Sequence, residues 1–430
     1  MKVAFLTLGC KVNKYETDLL REQFEKAGHT VVPFEDIADV YVINSCSVTN
    51  MSDRKTRQMV SRARHNNLNS IVAVIGCSVE GKKEDINSFK EADIVLGNED
   101  KLDLLKVVQE YVKDSKKRQV KLQDVSKVKR YKEVASIKKA YDIREEIKIE
   151  DGCNNFCAYC IIPYIRGRVR SRSLESIKEE AINLVKQNVK EIVLVGIEVA
   201  SYGKDLENVT LFDVLDTLNK IEGLDRIRLS SMEPRFLNHE NIKRLSEYNK
   251  LCPHFHISMQ SGNTEVLYRM NRKYAKEDLI DVCNNLRKYF TDPYLAADVI
   301  VGFPMETDAE FSDTVDTIKK MNLAKIHVFK YSKRRYTRAA KMDGQVDGNI
   351  KKYRSDVLLK LSDELSESFL SNYVGKKVSV LFENYKDGSL IGYTPNYIKC
   401  KVKGEESLCG TIQDVVVHSL KKDILLGNLD

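Results

Sequence analysis

The sequence predicts an α/β protein with three parts: an N-terminal doubly wound parallel-sheet domain, a central partial (β/α)6 barrel and a small C-terminal all-β barrel. Two stretches in which short apolar runs alternate with helical patterns predict the first two parts. A switch to period-two patterning over the last ~60 residues predicts the third part. The 430 residues are enough for several domains, and a hydrophobic share of 42% excludes a disordered chain.

The N-terminal domain is expected to span residues 1–112. Because apolar strands alternate with helices, the strands should form a parallel sheet that helices cover on both faces. Residues 113–140 follow as a basic linker, since residues 113–132 hold nine Lys or Arg against two acids. The predicted strands are residues 3–8, 40–44, 71–75 and 94–96, and the predicted helices are residues 15–27, 52–66 and 99–112.

The second alternation is expected to span residues 141–350. Six strand–helix units, rather than eight, favour an open, partial barrel. A helical connection at residues 351–371 should lead to a β domain at residues 372–430 that closes into a small barrel. The predicted barrel strands are residues 146–150, 191–195, 226–230, 255–259, 295–301 and 325–329; the helices are 174–187, 211–221, 240–248, 276–289 and 309–321; the last strands are 377–383, 390–393, 397–402, 411–417 and 424–426.

Net charge, apolar runs and cysteine content indicate the kind of partner and the cellular compartment to expect. A net charge of +7 is compatible with a polyanionic partner but does not require one. No apolar run approaches the ~18 residues of a membrane helix, and the apolar start lacks a cleavage site, so we expect a cytoplasmic protein without a membrane partner. Its ten cysteines should then be reduced thiols that are free for metal or redox work.

Three cysteines follow the first barrel strand with the spacing C-x3-C-x2-C, at Cys153, Cys157 and Cys160. A structural zinc site needs four ligands, and no fourth Cys or His lies nearby in sequence. Three thiolates instead suit a [4Fe–4S] cluster with one open iron, which could bind the amino and carboxylate groups of a small molecule. The alternative, three buried thiols by chance, fits this spacing poorly.

Three further cysteines, Cys10, Cys46 and Cys77, each directly follow a predicted strand of the first domain. Parallel strands open their carboxyl ends onto one edge of a sheet, so these thiols should meet there and form a second metal site. The alternative is that cysteines are commonly buried near strands in any case. The remaining cysteines show no such order and are interpreted as ordinary thiols: Cys252, Cys283, Cys400 and Cys409.

The three-cysteine loop, with Tyr159 before its last cysteine, resembles that of the radical S-adenosylmethionine (AdoMet) superfamily. The whole chain resembles the methylthiotransferase family, which has an N-terminal domain with three cysteine ligands, a radical AdoMet barrel and a C-terminal TRAM module. This resemblance implies two [4Fe–4S] clusters and AdoMet as cofactors. One AdoMet would donate a methyl group and another would provide a radical, giving a methylthio group on an unactivated carbon. The matching motifs lie at residues 9–13, 44–46, 76–77, 152–160, 166–168, 202–203, 260–262, 270–272 and 301–304.

Several residues at the carboxyl ends of barrel strands are candidates for the AdoMet pocket, where barrel enzymes place their active sites. Glu198 could pair with the ammonium group, and Arg272 could bind the carboxylate as a bidentate fork. Gly302 would let the backbone approach the adenine. No side chain is assigned a catalytic role, because the clusters and AdoMet would carry the chemistry. The candidates, each of which could instead be a solvated loop residue, are Tyr159, Glu198, Ser231, Gln260, Arg272, Asp298 and Gly302. Three histidines are interpreted as packing residues: His254, His256 and His327.

Basic residues cluster where a polyanion could reach the barrel mouth. Residues 330–341 hold six Lys or Arg, two Tyr and no acid, which is typical of a surface that follows phosphates. The β module resembles an RNA-binding barrel with Tyr385, Tyr393, Tyr397 and Lys399. The candidate RNA-binding residues are Arg166, Arg168, Lys333, Arg334, Arg335 and Arg338; a charge run is otherwise usually a solvated face.

The resemblance implies an enzyme that adds a methylthio group to C2 of N6-threonylcarbamoyladenosine at position 37, in the anticodon stem-loop of tRNA. Residues 8–13, Leu-Gly-Cys-Lys-Val-Asn, resemble the threonylcarbamoyl branch of the family. The threonyl carboxylate should then need a charged donor, for which Arg166, Arg168 and Arg334 are candidates. Alternatives are methylthiolation of isopentenyladenosine in tRNA or of a ribosomal-protein aspartate, and a non-enzymatic iron–sulfur RNA-binding regulator. A low-potential electron donor is required, and the sequence does not identify the sulfur donor.

Overall fold

The N-terminal part is a parallel sheet with helices on both faces, as the alternating pattern predicts. The computed structural model describes residues 1–113, 117–133 and 136–430. The strands pair in the order β2-β1-β3-β4-β5-β6, all in parallel. They are β1 (Lys2–Thr7), β2 (Thr30–Val32), β3 (Val40–Ser45), β4 (Ile71–Gly76), β5 (Ile94–Leu96) and β6 (Gln119–Lys121). The helices are α1 (Lys11–Lys26), α2 (Asn50–Asn66), α3 (Cys77–Glu80) and α4 (Leu104–Lys113).

The centre of this sheet is buried on both sides. Every residue of β3 and β4 is buried, as expected of strands that helices cover. Side chains of α1 and α4 pack with one face of the sheet, and side chains of α2 pack with the other. The carboxyl ends of β1, β3 and β4 therefore open onto one edge, directly before Cys10, Cys46 and Cys77.

The two edge strands of this sheet were not predicted. Both β2 and β6 have three residues and no fully buried position, so their patterns carry little signal. Backbone pairing to β1 and β5 defines them instead. The prediction that residues 113–140 form a linker is therefore wrong at residues 119–121, and its residues 114–116 and 134–135 lie outside the described residues.

The central part is an open arc of six parallel strands, and this prediction is confirmed. Two three-stranded sheets, β11-β10-β7 and β12-β13-β14, are joined by isolated bridges from Ile227 to Leu251 and from Met232 to Ile257. The strands are β7 (Arg144–Lys148), β10 (Glu191–Val195), β11 (Arg226–Leu229), β12 (His254–Gln260), β13 (Tyr294–Val301) and β14 (Lys325–Lys330). A short pair, β8 (Glu150–Asp151) and β9 (Arg170–Ser171), brackets the cysteine loop.

Helices cover the outside of the arc. The predicted helix at residues 276–289 matches the structure, and α9 was not predicted because its six residues are too few for a periodic signal. The helices are α5 (Ile162–Ile165), α6 (Leu174–Val185), α7 (Leu211–Asn219), α8 (His239–Leu245), α9 (Thr264–Arg269), α10 (Lys276–Tyr289), α11 (Asp308–Met321) and α12 (Gly348–Ser371).

The C-terminal part is a closed five-stranded barrel, as predicted, with strand order β15-β16-β17-β19-β18. It contacts the amino-terminal ends of the central strands, where Arg226 Nη1 donates to the Tyr393 carbonyl at 2.8 Å. The barrel therefore lies at the end of the arc opposite the cysteine loop. Its strands are β15 (Lys377–Lys386), β16 (Ser389–Tyr393), β17 (Lys399–Lys403), β18 (Ile412–Lys421) and β19 (Ile424–Leu429).

Two tyrosines expected to stack on RNA pack against the central arc instead. The rings of Tyr393 and Tyr397 stack on each other, and the Arg144 guanidinium lies 4.9 Å from both ring centroids. Arg228 lies 4.7 Å from the Tyr397 ring. Their faces are thus occupied by arginines of β7 and β11, whereas Tyr385 is exposed. None of the described helices is long and apolar enough to span a bilayer.

Candidate active site between two cysteine groups

The N-terminal cysteine group comprises Cys10, Cys46 and Cys77, and the structure brings these three residues together. Cys10 is the N-cap of α1, and Cys77 is the first residue of α3. Gly9, with φ of 105°, lies so close to Cys46 that a Cβ atom on it would be 2.7 Å from the Cys46 Cβ. Only glycine permits both this backbone conformation and this approach.

Burial and one nearby arginine shape the electrostatics of these thiols. Burial raises the pKa of Cys46 to about 11, and the nearby Cys77 and Cys10 thiolates add to this effect. Arg166 donates from Nε to the Cys77 Sγ at 3.2 Å. Without a metal, buried thiols of this kind keep their protons, and metal binding would release them.

The barrel cysteine group comprises Cys153, Cys157 and Cys160, in the loop between β8 and β9. Arg272 Nη1 donates to the Cys157 Sγ at 3.1 Å, and the Cys160 amide donates to the Cys157 carbonyl at 3.0 Å. Burial raises the pKa of Cys160 to about 12, and the neighbouring Cys157 thiolate adds to it. Gly152 lets the loop fold tightly, since a Cβ atom on it would be 1.9 Å from the Arg168 carbonyl oxygen.

The donor sets fit clusters better than single ions. Among the described residues, no group of three His, Cys, Asp or Glu side chains could hold one metal ion. Each group nevertheless offers three thiols and no nearby fourth Cys ligand, and each thiolate of a [4Fe–4S] cluster binds a different iron. Both groups could therefore hold a cluster with one iron left open.

A cavity of about 230 Å³ lies beside Cys160 of the barrel cysteine group and extends to residues that follow Cys46 in the chain. From the barrel side it is lined by Cys160 and its neighbours Tyr159 and Ile161. From the N-terminal side it is lined by Val48 and Thr49, which follow Cys46 by two and three residues. Its remaining walls come from the carboxyl ends of central strands and the segment after β14: Gln260, Asp298, Ile300, Phe329, Lys330, Tyr331, Ser332, Arg334 and, from the cysteine loop, Ile162.

Of the predicted AdoMet-pocket residues, Tyr159, Gln260 and Asp298 line this cavity. Asp298 also faces His256, whose Nε2 lies 2.8 Å from Oδ1, and the His256 ring stacks on His327 at 5.0 Å. The histidines thus form an ordered pair beside the cavity. Sequence reasoning treated them only as packing residues, although their places on neighbouring strands could have suggested the pairing.

Glu198 lies outside the cavity lining but beside the barrel cysteine group. Burial, together with the nearby charge of Glu233, raises the pKa of Glu198 to about 7. Its Oε1 is buried and finds no hydrogen-bond partner within the described ranges. Neighbouring Glu150 accepts from the Glu198 amide at 2.8 Å and likewise keeps an unpartnered Oε1 among those residues. Two such carboxylates fit a cationic group, and the sequence had indicated only Glu198.

Two residues predicted to contact AdoMet have other contacts in the structure. Arg272 cannot present a free fork, because it donates to Cys157 Sγ, to Glu233, to the Tyr274 hydroxyl and to the Ser258 carbonyl. Gly302 has φ of 70°, but the group that approaches it is the side chain of Lys351, whose Cγ would be 2.3 Å from an added Cβ. Ser231 lies half-buried just after β11.

Arg166 is not available to RNA, in contrast to the prediction. It is fully buried and donates to Glu16 at 3.1 Å and to Asp151 at 3.0 Å. Lys148 donates to the same two carboxylates, at 2.8 Å and 2.6 Å. Lys101 completes this buried ion network with a hydrogen bond to Glu16. The network joins the N-terminal domain to the barrel. Through Arg166 it also connects Cys77 with Asp151, which precedes the barrel cysteine group by two residues.

Arg334 is also buried, and only three predicted RNA contacts are exposed without an acidic partner. Arg334 donates to Asp53 at 2.7 Å and to Ser47 at 2.8 Å, on the N-terminal domain. Arg335 is exposed but pairs with Glu84. The run at residues 330–341 contains no acid, but Asp53 and Glu84 of the N-terminal domain pair with two of its arginines. Among the described contacts, the exposed residues without an acidic partner are Arg168, Lys333 and Arg338.

Comparisons with known proteins identify the class and the family. The family model described as the Radical SAM superfamily matches residues 147–318, and that described as uncharacterized protein family UPF0004 matches residues 2–97. The radical S-adenosylmethionine methyltransferase TsrM from Kitasatospora setae has a TM-score of 0.56 at 14% identity, covering 76% of this chain and 72% of that one, and so shares the fold. The protein is therefore a radical AdoMet enzyme.

Two curated relatives specify the family. The threonylcarbamoyladenosine tRNA methylthiotransferase MtaB of Bacillus subtilis is 39% identical over 421 residues, which are 96% of this chain and 93% of the relative. A tRNA-2-methylthio-N(6)-dimethylallyladenosine synthase of Alkaliphilus oremlandii is 33% identical over 100% of this chain and 92% of the relative. The chain belongs to the family of tRNA methylthiotransferases. It acts on tRNA and uses AdoMet and iron–sulfur clusters.

Proposed function

We propose that the enzyme adds a methylthio group to C2 of N6-threonylcarbamoyladenosine at position 37, within the anticodon stem-loop of tRNA. The observation that supports this most directly is the cavity beside Cys160, because the barrel and the N-terminal segment after Cys46 both line it and together could enclose one nucleoside. The 39% identity to an enzyme named for threonylcarbamoyladenosine supports the choice of substrate.

In this proposal the N-terminal and barrel cysteine groups each hold one [4Fe–4S] cluster, and Glu198 with Glu150 receives the AdoMet ammonium group. When bound, the clusters and AdoMet would supply the radical and the methyl group. The chain binds and orients the substrate and keeps water out. The buried, unpartnered oxygens of the two carboxylates support their role, since a buried polar atom without a partner is costly.

Arg334 is the donor that we assign to the threonyl carboxylate. Its two Nη atoms are held by Asn50, Ser47 and Asp53, whereas Nε is buried without a partner within the described part of the chain. Arg334 lines the cavity together with the exposed Lys330. Because Arg166 is enclosed in its ion network and Arg168 lies outside the cavity lining, Arg334 is the best placed of the three original candidates.

The substrate assignment is tested with the reconstituted enzyme and two purified tRNAs, one carrying threonylcarbamoyladenosine and one carrying isopentenyladenosine. We expect methylthiolation of the first and little of the second, measured by mass spectrometry of nucleosides. Activity on the isopentenyl tRNA alone would overturn the assignment.

An Arg334→Lys variant tests the donor, because Lys keeps a positive charge for Asp53 but lacks the Nε hydrogen. Loss of a charged hydrogen bond worth ~1.5–3 kcal/mol should weaken binding of threonylcarbamoyl tRNA by ~10- to 100-fold. Affinity for the same tRNA without the modification should stay the same. The exposed Arg62→Lys variant, whose arginine pairs with Glu35 on the N-terminal domain, is the matched control. Equal losses with both tRNAs in the Arg334→Lys variant would contradict the role.

The exposed cations at the mouth predict how salt affects tRNA binding. Removing a cation that neutralises one phosphate should reduce the slope of log K against log salt by roughly 0.7 to 0.9. We therefore expect a shallower slope for a Lys333→Gln, Arg338→Gln variant. A Lys401→Gln, Lys403→Gln variant, with equally exposed charges on β17, should keep the wild-type slope. A shallower salt slope in the second variant alone would show that tRNA binds to the C-terminal barrel instead.

We further propose that the enzyme works in the cytoplasm with a low-potential electron donor. The reduced cysteines and the tRNA substrate support this compartment.

A further inference from the structure

Three aromatic side chains form a continuous ladder beside the cavity. We call Phe156, Tyr164 and Tyr336 the aromatic rim. The rings of Phe156 and Tyr164 meet edge to face with centroids 5.7 Å apart, and Tyr164 and Tyr336 lie 6.3 Å apart at 32°. The ladder is thus assembled from the cysteine loop, α5 and the segment after β14.

Arginines lie at both ends of the rim. The Arg168 guanidinium is 4.3 Å from the Phe156 ring, and that of Arg335 is 5.4 Å from the Tyr336 ring. Both arginines are exposed. Aromatic faces flanked by exposed cations match the chemistry of single-stranded nucleic acid, which alternates flat bases with phosphates.

Tyr164 is the most accessible ring of the rim, since arginines lie over Phe156 and Tyr336. Tyr164 is 38% exposed, and Phe156 and Tyr336 are half-buried. Phe156 and Tyr336 also have left-handed backbones, with φ of 46° and 69°. Large side chains are uncommon in this conformation and persist where the surroundings impose it. The Tyr336 hydroxyl donates to Glu84 at 2.8 Å, which anchors that ring to the N-terminal domain.

Two residues of the rim are close in sequence to residues that line the cavity. Ile162 and Arg334 line the cavity, and Tyr164 and Tyr336 each follow one of them by two residues. A base that enters a cavity must leave its stack, so its neighbours in the loop lose a stacking partner. An aromatic surface at the entrance could replace that partner.

We propose that the aromatic rim stacks on the unpaired nucleotide adjacent to the modified adenosine, while Arg168, which has no acidic partner among the described contacts, binds a flanking phosphate. This inference rests on the proposed function, because it takes the tRNA loop as the occupant. The rim holds the loop open by stacking and reads no base edge, so it contributes to affinity for any base at that position.

The test is a double-mutant cycle on binding of an anticodon stem-loop RNA to the reconstituted enzyme without reductant. One change is Tyr164→Leu or Tyr336→Leu, and the other is an abasic site next to the substrate adenosine. In the wild type the abasic site should weaken binding about tenfold. In either Leu variant, binding of the intact RNA should be weaker by a similar factor, and the abasic site should add little.

Matched variants separate stacking from other effects. Tyr336→Phe keeps the ring but loses the hydrogen bond to Glu84, so it should retain the sensitivity to the abasic site. Tyr289→Leu removes a half-buried tyrosine that bonds to His239 at the end of α10, and it should bind as the wild type does. Iron content of each variant reports whether the nearby cysteine loop is intact.

Independent, additive losses from the protein and RNA changes would overturn the rim and leave the proposed function standing. Rim-dependent binding without methylthiolation of threonylcarbamoyl tRNA would support the rim and overturn the substrate. A wild type that does not bind the stem-loop at all would overturn both.

Discussion

Replacing Cys153, Cys157 and Cys160 together with Ala is expected to reduce bound iron from about eight to about four per chain, since each [4Fe–4S] cluster contains four irons. The same variant should lose AdoMet cleavage completely, because in our proposal this group holds the cluster that binds AdoMet beside Glu198. The measurements are iron analysis after anaerobic reconstitution and detection of 5′-deoxyadenosine under reducing conditions.

The matched control replaces Cys10, Cys46 and Cys77 with Ala. It should also leave about four irons, but it should still cleave AdoMet, because the two cysteine groups lie in separate domains and only the barrel group is assigned to AdoMet. Methylthio transfer should be absent. If this variant kept all of its iron, the N-terminal group would not be a cluster site; if it lost AdoMet cleavage as well, the two groups would not act independently.

Replacing Glu16 with Gln is expected to cause the largest loss of stability. Burial by itself would raise the pKa of Glu16, but the charges of Arg166, Lys101 and Lys148 outweigh burial and hold it well below its usual range. Without this carboxylate, three buried cations face Asp151. Breaking a buried ion pair costs ~3–5 kcal/mol, so the melting temperature should fall by several degrees.

Glu25→Gln is the control for this change, because Glu25 lies on the same helix, α1, but pairs with Lys139 near the surface. Its loss should cost at most about 1 kcal/mol. Both variants should be melted as cluster-free protein, which separates the ion network from any effect on iron binding. Equal stability of the two variants would mean that the network contributes nothing to holding the domains together.

Local patterns in the sequence determined the buried strands, most of the long helices and the strand ends at which the cysteines lie. Largely apolar runs predict the buried strands β3, β4 and β10, because a strand that helices cover on both sides is mostly apolar. The spacing of Cys153, Cys157 and Cys160 is also a local signal, because the three ligands lie within one loop. Cys10, Cys46 and Cys77 follow from the rule that parallel strands share an open edge.

Only the tertiary structure decided which charged and aromatic side chains are free. Arg334 is interpreted from sequence as an RNA contact, but it pairs with Asp53, which is 281 positions away. Arg166 and Tyr397 are likewise enclosed by partners from other domains. The burial of a charge depends on whether a distant segment brings a compensating group, and local periodicity carries no information about that pairing. The sequence by itself therefore determined the fold class and the cysteine groups, and the packing of the domains decided which residues face the substrate.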